Sequence, residues 1–105
     1  MSRRTDAIRA MLAKDPADVF LVYSLGMELA GEGDFAPAAA TFERCIELDA
    51  AYLPAYVEAG KSLRSAGQRE AARAMFQRAL ALAQDQQKTH VVNFVRQQLE
   101  GMGPP

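Results

Sequence analysis

The chain has 105 residues, half of them hydrophobic, and its 12 Lys and Arg against 13 Asp and Glu give a formal net charge of -1. That is the composition of one globular domain, and it offers no basic footprint for nucleic acid or an anionic membrane surface. A single Cys and a single His exclude an internal disulfide, a site of several thiolates and a two-His helix motif, so most enzyme classes are hard to build from this chain.

In chain order the apolar residues recur at helical spacing, and strand-like alternation is absent. Residues 3–15 are predicted to form a first helix, with Ile8, Met11 and Leu12 inward and Arg3, Arg4 and Arg9 toward water. Val22, Leu25, Gly26 and Leu29 stand at i, i+3, i+4 and i+7 and predict a second helix. Gly31-Glu32-Gly33-Asp34 stops it, with Asp34 placed to N-cap a third helix. That helix carries Phe35, Ala38, Ala39, Phe42, Cys45 and Ile46 on one side.

Tyr56, Ala59, Gly60 and Leu63 predict a fourth helix, with Pro54 in its first turn, where a missing N–H costs little. Ala66-Gly67-Gln68 ends it. Ala72, Met75, Phe76, Ala79 and Leu80 mark a fifth. The join from Ala83 to Lys88 has no Gly or Pro, which leaves two readings open, a turn or a partly continuous helix. Val91, Val95 and Leu99 predict a closing helix over 86–100 that solvates the end of the molecule, with a loose tail over 101–105.

The second and third helices repeat as the fourth and fifth. Gly26 matches Gly60 at a spacing of 34, as do Leu29 and Leu63, Gly33 and Gly67, Ala38 and Ala72, Phe42 and Phe76. Stepping back by the same interval places Ile8 under Phe42, Met11 under Cys45 and Leu12 under Ile46. A constant period of this length marks an array of helix pairs, each unable to bury both apolar faces alone, so that stacking is obligatory. The expected architecture is an all-α solenoid of antiparallel helix hairpins, about six helices in one domain. Residues 17–50 form one repeat and 51–84 the next, between an N-terminal half unit and a closing helix. The small residues Gly26, Gly60, Ala38 and Ala72 are expected to let paired helices approach. Phe42 and Phe76 are expected to fill the space between one pair and the next.

These residues resemble the tetratricopeptide repeat, whose pattern is an aromatic, then Leu-Gly, then Tyr in the first helix, and Ala-x3-Phe with a closing Pro in the second. The first unit reads Val22-x2-Leu25-Gly26-x2-Leu29 and Ala38-x3-Phe42; the second reads Tyr56-x2-Ala59-Gly60-x2-Leu63 and Ala72-x3-Phe76. Pro16 stands as the closing Pro of a truncated leading unit, while Ala50 and Gln84 replace the later ones. The resemblance implies binding of a protein or peptide, with no cofactor. It also implies a concave wall from the first helix of each pair: Phe20, Tyr23 and Met27, then Val57, Lys61 and Arg64, with Lys88, Val91 and Val95 added by the last helix.

That groove would be apolar on one side and basic on the other. Residues 1–50 hold 5 Lys and Arg against 9 Asp and Glu, whereas 51–105 hold 7 against 4. The expected ligand is an extended or helical peptide with apolar anchors and an acidic portion. The alternative is that the same wall is buried in a homodimer, because two full units are near the lower limit for a stable array. The Lys and Asn clamp with which some family members hold chaperone tails is not matched: Tyr23, Met27, Glu58 and Val92 stand there, and only Lys88 keeps a charge.

The remaining candidates for chemistry are few. Cys45 aligns with Ala79 at a small-residue core position, which points to an inert buried thiol. His90 opens the last helix, Glu43 and Glu47 have no third ligand nearby in sequence, and Gly31-Glu32-Gly33 lacks the Gly-Lys-Ser/Thr of a phosphate loop. No catalytic or metal-binding residues are assigned. The most apolar stretch, Val19–Leu29, contains Glu28 and is shorter than the roughly 20 residues of a membrane span, so the expected setting is the reduced cytoplasm.

Overall fold

The computed structural model describes residues 2–104, and all its regular structure is helical. The helices are α1 (Arg3–Lys14), α2 (Val19–Gly31), α3 (Phe35–Leu48), α4 (Leu53–Ser65), α5 (Arg69–Asp85) and α6 (Thr89–Gly101). Each packs on the next along the chain, and α2 also touches α4. The result is an elongated body of 41 × 28 × 19 Å.

Two short side chains start the first helices. The Ser2 hydroxyl accepts from the Thr5 amide at 3.1 Å, and the Asp18 carboxylate accepts from the Leu21 amide at 3.0 Å. Asp34 occupies the N-cap of α3 as expected, but its side chain makes no capping bond. The amide of Asp34 instead donates to the carbonyl of Leu29 at 2.9 Å, closing the end of α2. Gly33 sits at φ +83°, the left-handed conformation this turn requires.

The turn after α4 is built alike, with Gly67 at φ +80° and Gln68 donating to Leu63. The join after α5 is a turn of the same kind. Lys88 donates to the carbonyl of Ala83 at 2.9 Å, and Gln87 takes the left-handed position at φ 57°. A glutamine there lacks the glycine signal by which the other two turns are read.

The core is a file of buried small and aromatic residues. Ala38, Phe42, Ala59, Ala72 and Phe76 are fully enclosed. The contact that sets the spacing of each pair is an aromatic ring lying on a glycine. A Cβ added at Gly26 would come within 2.5 Å of the Phe42 ring, and one at Gly60 within 2.7 Å of the Phe76 ring. The aromatics therefore fill space inside their own helix pair, correcting the expectation that they lie between pairs. Their size is the reason: the ring needs the whole gap that the missing side chain leaves.

The tail departs from the expected loose end. Met102 is buried, and Arg73 on α5 donates to the carbonyls of Gly103 and Pro104 at 2.8 and 3.3 Å. Arg73 is itself buried, with Glu70 3.7 Å from its Nε as an ion pair. A buried guanidinium needs acceptors, and the two tail carbonyls supply them. Pro105 lies outside the described residues. α1 is tied down at the other end by Glu32. One carboxylate oxygen accepts from the Ser2 amide and the Thr5 hydroxyl, both at 3.0 Å. These hydrogen bonds, chiefly those from Ser2 and then Thr5, hold Glu32 below the usual glutamate range.

Gly26→Ala is expected to destabilise by about 1–3 kcal/mol, lowering Tm by roughly 4 °C or more, although alanine favours helix. Gly31→Ala, with nothing within 4 Å of its added Cβ, is expected to be neutral or stabilising by up to ~1 kcal/mol. Thermal unfolding followed by circular dichroism separates the two, and equal behaviour would remove the ring-on-glycine account. A lowered carboxylate stabilises the fold above the usual glutamate range and ceases to do so as pH falls through its folded value. Amide protection in α1, taken relative to the intrinsic exchange rate at each pH, is therefore expected to fall on acidification, and Glu32→Gln to flatten that dependence.

Candidate interaction groove

Three hollows follow one another along the first helices of the pairs. The first, about 610 Å³, lies between α1 and α2 and is lined by Ala7, Ile8, Met11, Phe20, Leu21, Tyr23 and Met27, with Arg4, Ser24 and Glu28 at its polar margin. The second, about 270 Å³, lies between α2 and α4 and shares Met27 with the first. The third, about 350 Å³, lies between α4 and α6 and shares Glu58 and Lys61 with the second. Neighbouring hollows thus share lining residues, Met27 between the first two and Glu58 with Lys61 between the last two.

The expected wall residues fall into distinct settings. Phe20 is 68% exposed and Met27 42%, and both face the first hollow. Tyr23 lines the same hollow but is half-buried, its ring 5.6 Å from Phe42 and 5.4 Å from Tyr52. Burial first, then the neighbouring Glu58 carboxylate, pushes its hydroxyl up to about 12. Tyr23 thus joins the groove wall to the core. Val57 lines the third hollow, half-buried.

The cations of the second wall are engaged within the chain. Lys61 Nζ donates to Glu58 at 3.2 Å. Arg64 bonds to the side chain of Gln98, and its guanidinium lies 5.7 Å from the centre of the Phe76 ring. Only Lys88 is left in the open, at the N-cap of α6. Lys61 is thus balanced by Glu58, whereas Arg64, held by a neutral amide and a ring, keeps its charge, and neither it nor Lys88 lines the second or third hollow. The partners lie on neighbouring turns or on another helix, and an unpaired count of charges does not see them.

The last wall is shifted as well. α6 starts at residue 89 and α4 at residue 53, an interval of 36 rather than 34. Val95 consequently takes the place of Ala59 and is fully buried. The residues that α6 gives to the groove are His90, Val91 and Phe94, in place of the expected Lys88, Val91 and Val95. The signal that would have found them is the spacing of Val92, Val95 and Leu99, which matches Tyr56, Ala59 and Leu63 only at the longer interval.

Little here points to chemistry. Cys45 is fully buried, and burial pushes its thiol up to about 11. Among the described residues no three of His, Cys, Asp and Glu come together to hold a metal ion. Nor is any helix among them long and apolar enough to cross a membrane.

A sequence model described as tetratricopeptide repeat matches twice in succession, over residues 21–52 and 53–86. No curated protein matches the chain. Among solved structures, the chain is similar to a Bordetella parapertussis protein determined in solution, at 28% identity and a TM-score of 0.85, over 97% of this chain and 89% of that one. A tetratricopeptide repeat domain protein from Salinibacter ruber shares the fold at 20% identity and a TM-score of 0.75, over 84% of this chain and 89% of that one.

Because only the thiolate attacks, the Cys45 thiol is expected to react with a disulfide reagent at pH 8 about a hundred-fold more slowly than a free thiol, and at the ordinary rate once denaturant opens the core. Rapid labelling of the folded protein would contradict this burial.

Proposed function

Since the chain belongs to the tetratricopeptide repeat family, we propose that it is a non-catalytic adaptor or scaffold that holds a segment of another protein in the groove along α2, α4 and α6. Repeats of this family generally mediate protein–protein interaction. The observation that carries the finer reading is the continuity of the groove. Its three hollows share lining residues, so one extended or helical segment can lie across all of them.

Apolar side chains supply most of the contact. Met27 joins the first two hollows, Val57, Val91 and Phe94 line the third, and Glu58 and Lys61 cross the middle as a neutralised pair. Burial of apolar area then drives binding, with the Met thioether able to adapt to several shapes. Electrostatic steering is a secondary contribution in the middle of the groove, because an ion pair already formed offers little to a passing charge. The setting proposed for this activity is the cytoplasm, where the lone buried thiol stays reduced.

The test is affinity capture from the native cell, comparing the wild-type chain with Met27→Glu/Val91→Thr. Threonine keeps the shape of valine, so the fold is expected to persist, and circular dichroism checks that it does. Partners bound in the groove are expected to fall at least tenfold in recovery. Unchanged recovery of every partner would place binding elsewhere and end this reading.

A further inference from the structure

Among the described residues three large apolar side chains are exposed, Met11, Phe20 and Met27, and all three line the hollow between α1 and α2. The repeat shows what this hollow is. Moving forward 34 residues carries Ile8 and Met11 of α1 onto Phe42 and Cys45 of α3. Both of those are fully buried, and α3 is covered by α2. The same interval carries Leu21 of α2 onto Ala55 of α4, which is fully buried too. The seat that α3 and α4 make is thus filled by α2. The corresponding seat made by α1 and α2 is covered by none of the described helices.

We propose that this open seat receives one amphipathic α-helix with an acidic outer face, supplied by another protein and lying on α1 and α2 as α2 lies on α3 and α4. The inference rests on the interaction role above and names the partner for one end of the groove. Its interface type already occurs inside the chain, where α2 seats on α3 and α4 on α5.

Charge selects the partner. α1 carries Arg3, Arg4, Arg9 and Lys14 against a single acid, Asp6, for a net charge of +3. Arg4 and Glu28, the two charged residues at the margin of the hollow, pair with each other at 3.1 Å, so the cations of α1 left over are Arg3, Arg9 and Lys14. Arg3, Ala7, Ala10 and Lys14 share one edge of α1 at helical spacing. The N-terminal turn already holds the Glu32 carboxylate and Asp6 against the helix dipole, so the free excess of cations is along this edge. An acidic helix edge therefore fits, whereas two copies meeting through α1 would set these cations against each other. Stacking head to tail is blocked at the far end, where Arg96 of α6 stands in the place of Gly60 at the 36-residue interval and would meet any following helix.

The seat also specifies a residue. Opposite Phe42 only glycine fits. Opposite the smaller Ile8 a helix can carry alanine or a larger apolar residue. The test uses two synthetic helical peptides of about 20 residues, long enough to hold some helix in water. Both carry Val, Leu, Ala and Leu at i, i+3, i+4 and i+7, one with Glu at its outward positions and one with Lys. Fluorescence anisotropy is expected to show saturable binding of the acidic peptide, at least tenfold weaker binding of the basic one, and a loss of at least tenfold with Met11→Asp or with Phe20→Asp, both exposed and expected to fold. Arg3→Glu/Arg4→Glu is expected to narrow or invert the preference. Absence of saturable binding by the acidic peptide, equal binding of both peptides, or binding indifferent to Met11 and Phe20 would each overturn the proposal. So would sedimentation showing a dimer that Phe20→Asp dissolves, which would assign the seat to a second copy. Met11 lines the first hollow and Val91 the third, whereas Met27 belongs to both readings, so loss with Met11→Asp alone reports on the seat and loss with Val91→Thr alone on the far end of the groove.

Discussion

The placement of a phenylalanine ring on a glycine governs this molecule. Phe42 on Gly26 and Phe76 on Gly60 set how near the helices of each pair lie, with ring atoms closer than any Cβ would tolerate. Once that distance is set, the neighbouring positions have to be small, and Ala38, Ala59 and Ala72 are fully buried beside the rings. A pair packed this way shows apolar residues on two sides. It can be stable only with a neighbour on each, and a file of pairs follows. The groove is a by-product of the same constraint. One layer of helices is held closely by the other, and its free side is left to face a partner.

Where that constraint repeats, the sequence is readable. The interval of 34 holds from Ile8 to Leu82, and over that span glycine, alanine and phenylalanine recur in step because the same contact recurs. It fails after α5. There the turn uses Gln87 at positive φ where the earlier turns use glycine, and α6 moves two residues out of step. Val95 then turns inward and His90 and Phe94 turn to the groove. The docking of the tail was hidden for a different reason. Arg73 and the carbonyls of Gly103 and Pro104 are about 30 residues apart in sequence, and neither end carries a local pattern that announces the other. Glu32 is similar: its bonds to Ser2 and Thr5 join a turn to a distant N-cap.

Charge changes its meaning between sequence and structure. The C-terminal half has an excess of cations, and the expected basic wall followed from counting them. In the folded chain Lys61 is paired with Glu58, Arg64 covers Phe76 and bonds Gln98, Arg73 holds the tail, and Arg78 lies 5.2 Å from the centre of the Tyr56 ring. These cations do structural duty, and several lay their stems over apolar surface. The cations of α1 are less engaged, with the Arg4–Glu28 contact as their one ion pair among the described residues. The basic half by composition is thus the quieter one in the fold.

The two ends of the array meet the same problem in opposite ways. At the C-terminal end Arg96 occupies the glycine's place and Met102 folds back into the core. At the N-terminal end α1 packs on α2, held also by the Ser2, Thr5 and Glu32 bonds, and its other apolar side is open. In a linear array a terminal element has one neighbour where an internal one has two, so α1 is the helix whose opening costs least. A helix seated between α1 and α2 would supply the missing neighbour and stabilise α1 by mass action. Binding at that end and order at that end are then one equilibrium, and the exposed Met11 and Phe20 are the surface through which a partner would shift it.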